Sequence, residues 1–439
     1  MKYTLFSILF SLVFLTQVQA QSNLVKSGPM VGYSEMREVM VWIQTVAPAE
    51  VVLQYRSVDP ASNWLHSQPV KTTQEHAFTA HLIADQVTPG MQYEYRVLVN
   101  GTTFSPTYPC TFKAQSLWQW RTDPPEFMFA TGSCAFISEE EYDRPGKPYG
   151  GDYHIFKTMN RMHPEMMLWL GDNTYYREAD YTTLTGMHYR NTHTRSLEEL
   201  QPFLAQTHHY AIWDDHDYGP NDADRSFIYK ERALEVFKDF WANPSYGLQD
   251  LPGVTGNFSY NDCEFFLMDN RYYRTPQYKK DSSFIWGKQQ VEWLIDALKF
   301  SKSSFKFVVT GGQFLNPTQV YENHANYPQE REYLIRRIEE ENIKNVVFLT
   351  GDRHHSEVCK LDLKNGQSIY DVTVSPLTSR AHSTLKEENP LRLESSLILE
   401  RNFATLELSG KWGQRQLLIT YYSSTGKKLY ELTINQAGN

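Results

Sequence analysis

The first third of the chain alternates apolar and polar positions with a period of two. Glu38-Val-Met-Val-Trp-Ile-Gln44, Val51-Val-Leu-Gln-Tyr55, His76-Ala-Phe-Thr-Ala-His-Leu82 and Gln92-Tyr-Glu-Tyr-Arg-Val-Leu98 are rich in β-branched and aromatic residues. Turn formers such as Thr88-Pro-Gly90 separate them. Short strands at this spacing predict an all-β immunoglobulin- or fibronectin-like sandwich over residues 27–115.

The pattern changes at Arg121-Thr-Asp-Pro-Pro125. Beyond it, short continuous apolar runs alternate with segments of helical period, the signature of strands buried on both faces with helices between them. The runs are Phe127–Ala130, Met166–Leu170, Tyr210–Trp213, Phe265–Met268, Phe305–Thr310 and Val346–Thr350. Helical patterns cover Tyr153–Met162, Ser226–Trp241, Gly287–Phe300 and Gln329–Glu341, and β signals return from Ile369, ending in Gln416–Tyr422 and Lys428–Ile434. The prediction is a layered α/β catalytic domain over residues 122–436.

Length, charge and the N-terminus narrow the class. A chain of 439 residues exceeds one ordinary core and fits two units. Lys2, the apolar run Leu5–Leu15 and the small-x-small Val18-Gln19-Ala20 read as a signal peptide over residues 1–20, too short to span a bilayer. The expected location is therefore periplasmic or secreted, with no transmembrane segment after signal removal. A formal charge of −9 gives no electrostatic footprint for nucleic acid, so positive charge for a phosphate must come from local groups or metal ions. Cys110, Cys263 and Cys359 are widely spaced and read as packed or paired. Oligomeric state leaves no trace in the pattern.

The residues after each apolar run carry the chemistry. They are Thr131-Gly-Ser-Cys134, Gly171-Asp-Asn-Thr-Tyr175, Asp214-Asp-His-Asp217, Gly311-Gly-Gln313 and Gly351-Asp-Arg-His-His355. Ligands bind at the carboxyl ends of strands in open α/β sheets. Carboxylates gathered there repel one another unless cations neutralise them. A thiolate, a phenolate, several carboxylates and one or two imidazoles suit more than one metal and argue against a closed structural zinc site. Two metals sharing a bridging hydroxide would hydrolyse a phosphate ester. His216, between carboxylates, is set to protonate the leaving oxygen. Asp214 is ranked below Asp215 because it could simply cap the loop. Arg271 and Arg274 read as ion-pair partners, Gln313 as a backbone hydrogen-bonder, and His163, His208, His209 and His355 as ordinary histidines.

The order GSC, GDxxY, WDDHD and GDxH resembles that of the alkaline phosphatase D (PhoD-like) metallophosphoesterases. Ser27-Gly-Pro-Met-Val-Gly-Tyr33 and Val41-Trp-Ile-Gln44 look like that family's N-terminal β-domain; Met268-Asp-Asn-Arg-Tyr-Tyr-Arg274 and Gly287-Lys-Gln-Gln-Val-Glu-Trp-Leu294 look like its later motifs. The resemblance implies a metallophosphoesterase-type β-sandwich core flanked by helices, Fe3+ bound with Ca2+, and hydrolysis of small phosphate mono- and diesters. Carried over residue by residue, Cys134 and Tyr175 would bind iron and Asp172 would bridge metals. Asp215, Asp352, His354 and Asn221 would be further ligands, and His216 the catalytic histidine. The rival readings are a phospholipase-like phosphodiesterase, whose aromatic residues seat acyl chains, and a non-enzymatic extracellular ligand-binding protein.

Overall fold

The computed structural model describes residues 24–438 apart from 60, 278 and 280–282, so the expected signal peptide lies outside the described residues. Among the described residues no helix is long and apolar enough to cross a membrane.

Nine strands come first: β1 (Val25–Ser34), β2 (Val39–Thr45), β3 (Glu50–Ser57), β4 (Leu65–His66), β5 (Val70–Lys71), β6 (Thr79–Ala84), β7 (Gln92–Val99), β8 (Thr102–Phe104) and β9 (Thr111–Lys113). They form one sheet in the order β1-β2-β6 and a second in the order β4-β3-β7-β8, with β5 on β3 and β9 on β7. Val31, Val41, Ile43, Leu53, Tyr55, Leu82 and Tyr95 fill the space between them. The alternation read from the sequence is this in-and-out pattern: in β7 every second residue is buried. One expected strand begins late. Residues 74–76 form a 3-10 turn, and Ala77 and Phe78 take left-handed backbone (φ 50° and 57°), so the strand starts at Thr79 and not at His76.

Twelve further strands build two six-stranded sheets. The first holds β10 (Phe127–Gly132), β11 (Met166–Leu170), β12 (His208–Ile212), β19 (Asn402–Ser409), β20 (Gln416–Ser423) and β21 (Lys428–Asn435), ordered β12-β11-β10-β19-β20-β21. The second holds β13 (Gly256–Tyr260), β14 (Cys263–Leu267), β15 (Phe305–Val309), β16 (Val346–Thr350), β17 (Glu357–Asp362) and β18 (Ser368–Thr373), ordered β13-β14-β15-β16-β18-β17. In the first, β10, β11 and β12 run parallel; in the second, β14, β15, β16 and β18 do. The two sheets pack face to face: Phe129 meets Phe265 and Phe307 edge-on at 5.3 and 5.4 Å between ring centroids. Helices cover both outer faces. Residues of helices His154–Arg161, Leu184–Arg195 and Lys230–Phe240 pack with Met167 and Trp169 of the first sheet and with Trp213 just after β12. Residues of helices Gly287–Phe300 and Pro328–Glu340 pack with Phe266, Val308 and Phe348 of the second. Strands enclosed on both sides need apolar residues on both sides, which is why β11 and β16 are buried at every position and read as unbroken apolar runs. The helix expected from Ser226 begins only at Lys230.

The N-terminal sheets sit against the first of these. Ser34 N donates to Tyr210 Oη (2.9 Å), Trp42 Nε1 to Asp239 O (2.7 Å) and Tyr33 N to Ala242 O (3.0 Å). Gly32 permits the approach: a Cβ there would lie 2.3 Å from the Ala242 Cβ. All four cysteines carry free thiols. Cys263 and Cys359 are packed in separate cores.

One carboxylate organises the second helical layer. Glu330 accepts hydrogen bonds from the amides of Ile285 (3.0 Å), Trp286 (3.1 Å) and Gly287 (2.8 Å) at the start of helix Gly287–Phe300, and pairs with His324 (2.9 Å). Burial would raise its pKa, but the His324 contact and these amides hold it below the usual carboxylate value. Glu330 therefore adds stability above the unfolded carboxylate pKa, near 4.3, and loses it as pH falls. Glu330→Ala should cost about 3 kcal/mol in urea unfolding at pH 7, because three buried donors lose their acceptor. The deficit should shrink near pH 3. A cost below about 0.5 kcal/mol at pH 7 would remove Glu330 from this role.

Candidate metal centre

The carboxyl ends of the parallel strands from both sheets meet at one place. β10 leads into Cys134, β11 into Asp172 and β12 into Asp214 and Asp215; on the second sheet β14 leads to Asn270 and Arg271, and β16 to Asp352 and His354. Cys134, Asp172, Asp352 and His354 all take left-handed backbone, with φ of 61°, 54°, 67° and 52°. Side chains other than glycine rarely adopt that conformation, and it clusters where a site over-determines the chain. The loops are also compressed: a Cβ on Gly311 would stand 2.3 Å from Asp214 Oδ2, and on Gly171 2.7 Å from Asp214 Cβ.

Cys134 Sγ lies 3.5 Å from Asp172 Oδ2, and the Tyr175 hydroxyl donates to the same oxygen at 3.0 Å. The Tyr175 hydroxyl is also 3.4 Å from His354 Nε2. Ser375 Oγ donates to Cys134 Sγ (3.3 Å), Ser379 Oγ to Tyr175 Oη (3.1 Å), and Tyr149 Oη stands 3.0 Å from His354 Nδ1. The other oxygen of Asp172 accepts the His216 amide at 3.3 Å, so this carboxylate faces two ways. Cys134, Asp172 and His354 offer ligand atoms within 4.8 Å of one another; so do Asp172, Asp215 and His216; Asp214, Asp215 and Asp352; and Asp215, Asp222 and Glu322. The structure thus brings together Cys134, Asp172, Tyr175, Asp215, His216, Asp352 and His354. It does not bring in Asn221, which is exposed, and among the described residues no hydrogen bond joins its side chain to the centre. Its neighbour Asp222 is exposed as well, but its amide donates to Asp215 Oδ2 at 2.7 Å and its carboxylate groups with Asp215 and Glu322.

Asp214, Asp222 and Glu322 complete the acidic groups and were not among the sequence-derived ligands. Asp214 does organise its loop, its amide donating to Asp217 Oδ2 at 3.0 Å, yet its carboxylate also joins the centre. One cation already stands there. Arg271, fully buried, donates to Asp214 Oδ1 (2.5 Å) and to both oxygens of Glu322 (2.7 and 2.5 Å). Arg274 pairs with Glu322 as well (2.7 Å), so both arginines are ion-pair partners as expected. A separate group, His355, Glu357 and Glu387, is matched by Arg392 on Glu357 and Arg353 on Glu387. Gln313 sits in that network, donating to Glu357 (2.8 Å) and Thr373 (2.9 Å), so its partners are side chains and not backbone.

The arginines do not balance the charge. Burial, then Asp215, Asp214 and their neighbours, push Asp172 well above the usual carboxylate range; burial, Glu322 and Asp214 do the same to Asp352. Burial raises Asp214 to about 7 even against Arg271. Asp215 goes the other way: burial would raise it, but His216, Arg271 and the Asp222 amide hold it low. Burial and Asp172 raise the Cys134 thiol and the Tyr175 phenol. Burial lowers His354 to about 3, so its imidazole is neutral, the form that ligates metals. Asp214 Oδ2 and Asp215 Oδ1 are enclosed with no hydrogen-bond partner among the described residues. Orphaned buried oxygens and mutually repelling acids fit a site for cations.

The chain matches known proteins at three levels. A family model described as PhoD-like phosphatase matches residues 129–410, and one described as a domain of unknown function matches residues 22–117. Alkaline phosphatase D of Bacillus subtilis (strain 168) is 25% identical over 331 residues, 64% of this chain; the match spans 54% of that relative's length. A solved structure titled as that of PhoD superposes with a TM-score of 0.75 at 19% identity, covering 95% of this chain and 94% of the other. A purple acid phosphatase from yellow lupin (Lupinus luteus) seeds superposes with a TM-score of 0.67 at 12% identity, covering 93% and 74%. Both superpositions match the catalytic fold.

Proposed function

The chain belongs to the PhoD-like phosphatase family, and from that premise we propose that it is a metal-dependent phosphoric ester hydrolase acting outside the cytoplasm on small phosphate mono- and diesters. One observation carries the reading: Asp172 belongs to two adjacent groups of ligand atoms, one with Cys134 and His354 and one with Asp215 and His216, as a carboxylate shared by two cations would. Cys134, Tyr175, Asp172 and His354 would hold Fe3+, for which thiolate and phenolate are suited donors. Asp214, Asp215, Asp222, Asp352 and Glu322 offer the all-oxygen surroundings that suit Ca2+. When bound, such ions supply Lewis acidity and a nucleophile at neutral pH.

The protein's own residues do the rest. Arg271 holds Asp214 by Oδ1, leaving Oδ2 without a hydrogen-bond partner among the described residues, and anchors Glu322 through both of its oxygens. Tyr175 lies under the His216 ring, 4.2 Å between centroids, and holds it at the rim, where its side chain is 23% exposed. There the imidazole reaches solvent and an incoming ester, and would deliver a proton to the leaving oxygen.

The test is hydrolysis of 4-nitrophenyl phosphate, bis(4-nitrophenyl) phosphate and a phospholipid by purified, metal-analysed protein. Release of 4-nitrophenol with bound metal is expected. Turnover of the phospholipid alone would favour the phospholipase-like reading, and a metal-replete protein inert on all three would overturn both. A second expected outcome is colour: the Tyr175 phenolate on Fe3+ should give a visible charge-transfer band that Tyr175→Phe loses. A colourless active enzyme containing only zinc would remove Tyr175 and Cys134 as iron ligands.

We assign residues 27–115 an accessory role as an immunoglobulin-like unit beside a catalytic unit over 122–436. Among the described residues no group of metal-ligand type contains a residue before Cys134. Single replacements of polar or aromatic residues in residues 27–115 that keep the fold should leave turnover of a small ester within about threefold. A hundredfold loss, about 2.7 kcal/mol, at full metal content would place a catalytic group there.

A further inference from the structure

A second cavity lies at the opposite end of the strands. Its volume is about 880 Å³, and its walls come from the segment before β10, from the turns on either side of helix Gly287–Phe300's C-terminus and β15, and from the turn before β16. These are the amino ends of the parallel strands whose carboxyl ends carry the metal groups. The space is large enough for a small molecule.

Its lining joins tryptophan to lysine. Trp118 and Trp412 pack against each other with centroids 5.4 Å apart and form one wall. Trp120 is fully exposed and has left-handed backbone, φ 63°. Its indole face is open to a partner ring. Lys299, Lys302, Lys306 and Lys344 also line the cavity, and no carboxylate does. In a chain with 51 acidic and 42 basic side chains, such a lining is a local reversal of sign. Lys299 is shared with Glu341 at 3.4 Å, whereas Lys302 is exposed and Lys306 is buried with only backbone carbonyls within reach of its Nζ, at 3.3 and 3.4 Å. Burial lowers the Lys306 pKa to about 8. Trp118 Nε1 and Gln119 Oε1, both on lining residues, are enclosed without a hydrogen-bond partner among the described residues.

We propose that this cavity is an accessory binding site for a small anion that carries a flat ring, a nucleotide being the simplest form. The ring would stack on the Trp120 face, an interaction of about 1–3 kcal/mol for a base on an aromatic side chain. The anionic group would meet Lys302 and Lys306. Neither ring nor anion alone satisfies both halves of the lining. The site is separate from the metal centre, and its occupancy does not depend on which ester the centre hydrolyses.

The probe is adenosine 5′-(α,β-methylene)diphosphate, whose bridging carbon resists hydrolysis at that bond, titrated into the full chain with calorimetry and tryptophan fluorescence as readouts. Saturable binding is expected in the wild type and in Asp352→Asn, a variant of the metal centre. Trp120→Ala and Lys302→Glu, both at exposed positions, should each weaken it at least tenfold while unfolding as the wild type does. Adenosine alone and methylenediphosphonate alone should each bind at least tenfold more weakly than the joined molecule. Phenylphosphonate separates the sources: affinity equal to the nucleotide's points to aryl anions, and weaker affinity to nucleotides. Loss of binding in Asp352→Asn with none in Trp120→Ala would assign the signal to the metal centre and overturn the proposal. So would Trp120-dependent binding to phosphatidylglycerol vesicles with no saturable small anion, which would make the face a membrane contact.

Discussion

Asp352→Asn should abolish ester hydrolysis while making the metal-free protein more stable. Asp352 is half-buried just after β16 beside Asp214 and Asp215, and burial, Glu322 and those neighbours force its pKa well up. Asparagine keeps the shape and removes the charge. With metal present, the loss of one anionic ligand should empty or weaken a cation site and lower kcat/KM by about 10³-fold or more, since bound cations supply several kcal/mol of transition-state stabilisation. In chelator, the sign reverses. A carboxyl whose folded pKa is raised favours folding below its unfolded pKa and loses that contribution as pH rises. Metal-free wild type should therefore lose stability as pH rises above the ordinary carboxylate pKa of about 3.9, and Asp352→Asn should lose less. Elemental analysis, kinetics and urea unfolding in chelator read the three parts. Full metal content with near wild-type turnover would exclude Asp352 as a ligand. Equal chelator stability of the two proteins at pH 8 would mean that the acids at this site do not oppose folding. Asp172→Ala should behave alike and also disturb both cation sites, because Asp172 belongs to both ligand groups.

The contrast between what is lost and what is gained explains why so much of this centre is legible in sequence. Residues kept against the interest of stability stand out: acids after Gly at strand ends, a cysteine after Gly-Ser, a histidine flanked by acids. The strands themselves are legible for a different reason. Each is covered by a sheet on one side and helices on the other, so β11, β15 and β16 are buried at every position and are mostly apolar. Where chemistry is supplied from irregular chain, the signal fails. Glu322 lies in the long connection between β15 and helix Pro328–Glu340, has no motif around it, and reaches the site only because Arg271 and Arg274 draw it in. Asp222 and Asn221 are adjacent, and nothing in their order says which one joins the acidic groups; the Asp222 amide bonds Asp215 and its carboxylate lies with Asp215 and Glu322. Asp214 looked like a capping residue and is one through its backbone, a role that leaves its carboxylate available. The late start of β6 has a similar local origin, two left-handed residues that alternation alone cannot reveal.

His216→Ala should slow turnover by about 10²–10⁴-fold and leave metal content near that of the wild type. His216 differs from the ligands around it in the ways a proton donor must. Its side chain is partly exposed whereas Asp172 and Asp215 are buried, and it stacks on Tyr175 rather than pointing into the thiolate group. Its Nε2 stands 3.9 Å from Asp215 Oδ2, too far for a hydrogen bond that would hold the proton. Its contact with Asp172 runs through its backbone amide, so removing the ring leaves that bond in place. The deficit should depend on the leaving group. An ester whose departing alcohol is already acidic, such as 4-nitrophenol, needs little protonation, so His216→Ala should approach the lower end of the range with it. A methyl or glyceryl ester should fall toward the upper end. Elemental analysis beside kinetics on both kinds of ester makes the distinction. Loss of metal in His216→Ala would make His216 a ligand, and an equal deficit on good and poor leaving groups would show that it does something other than donate the proton.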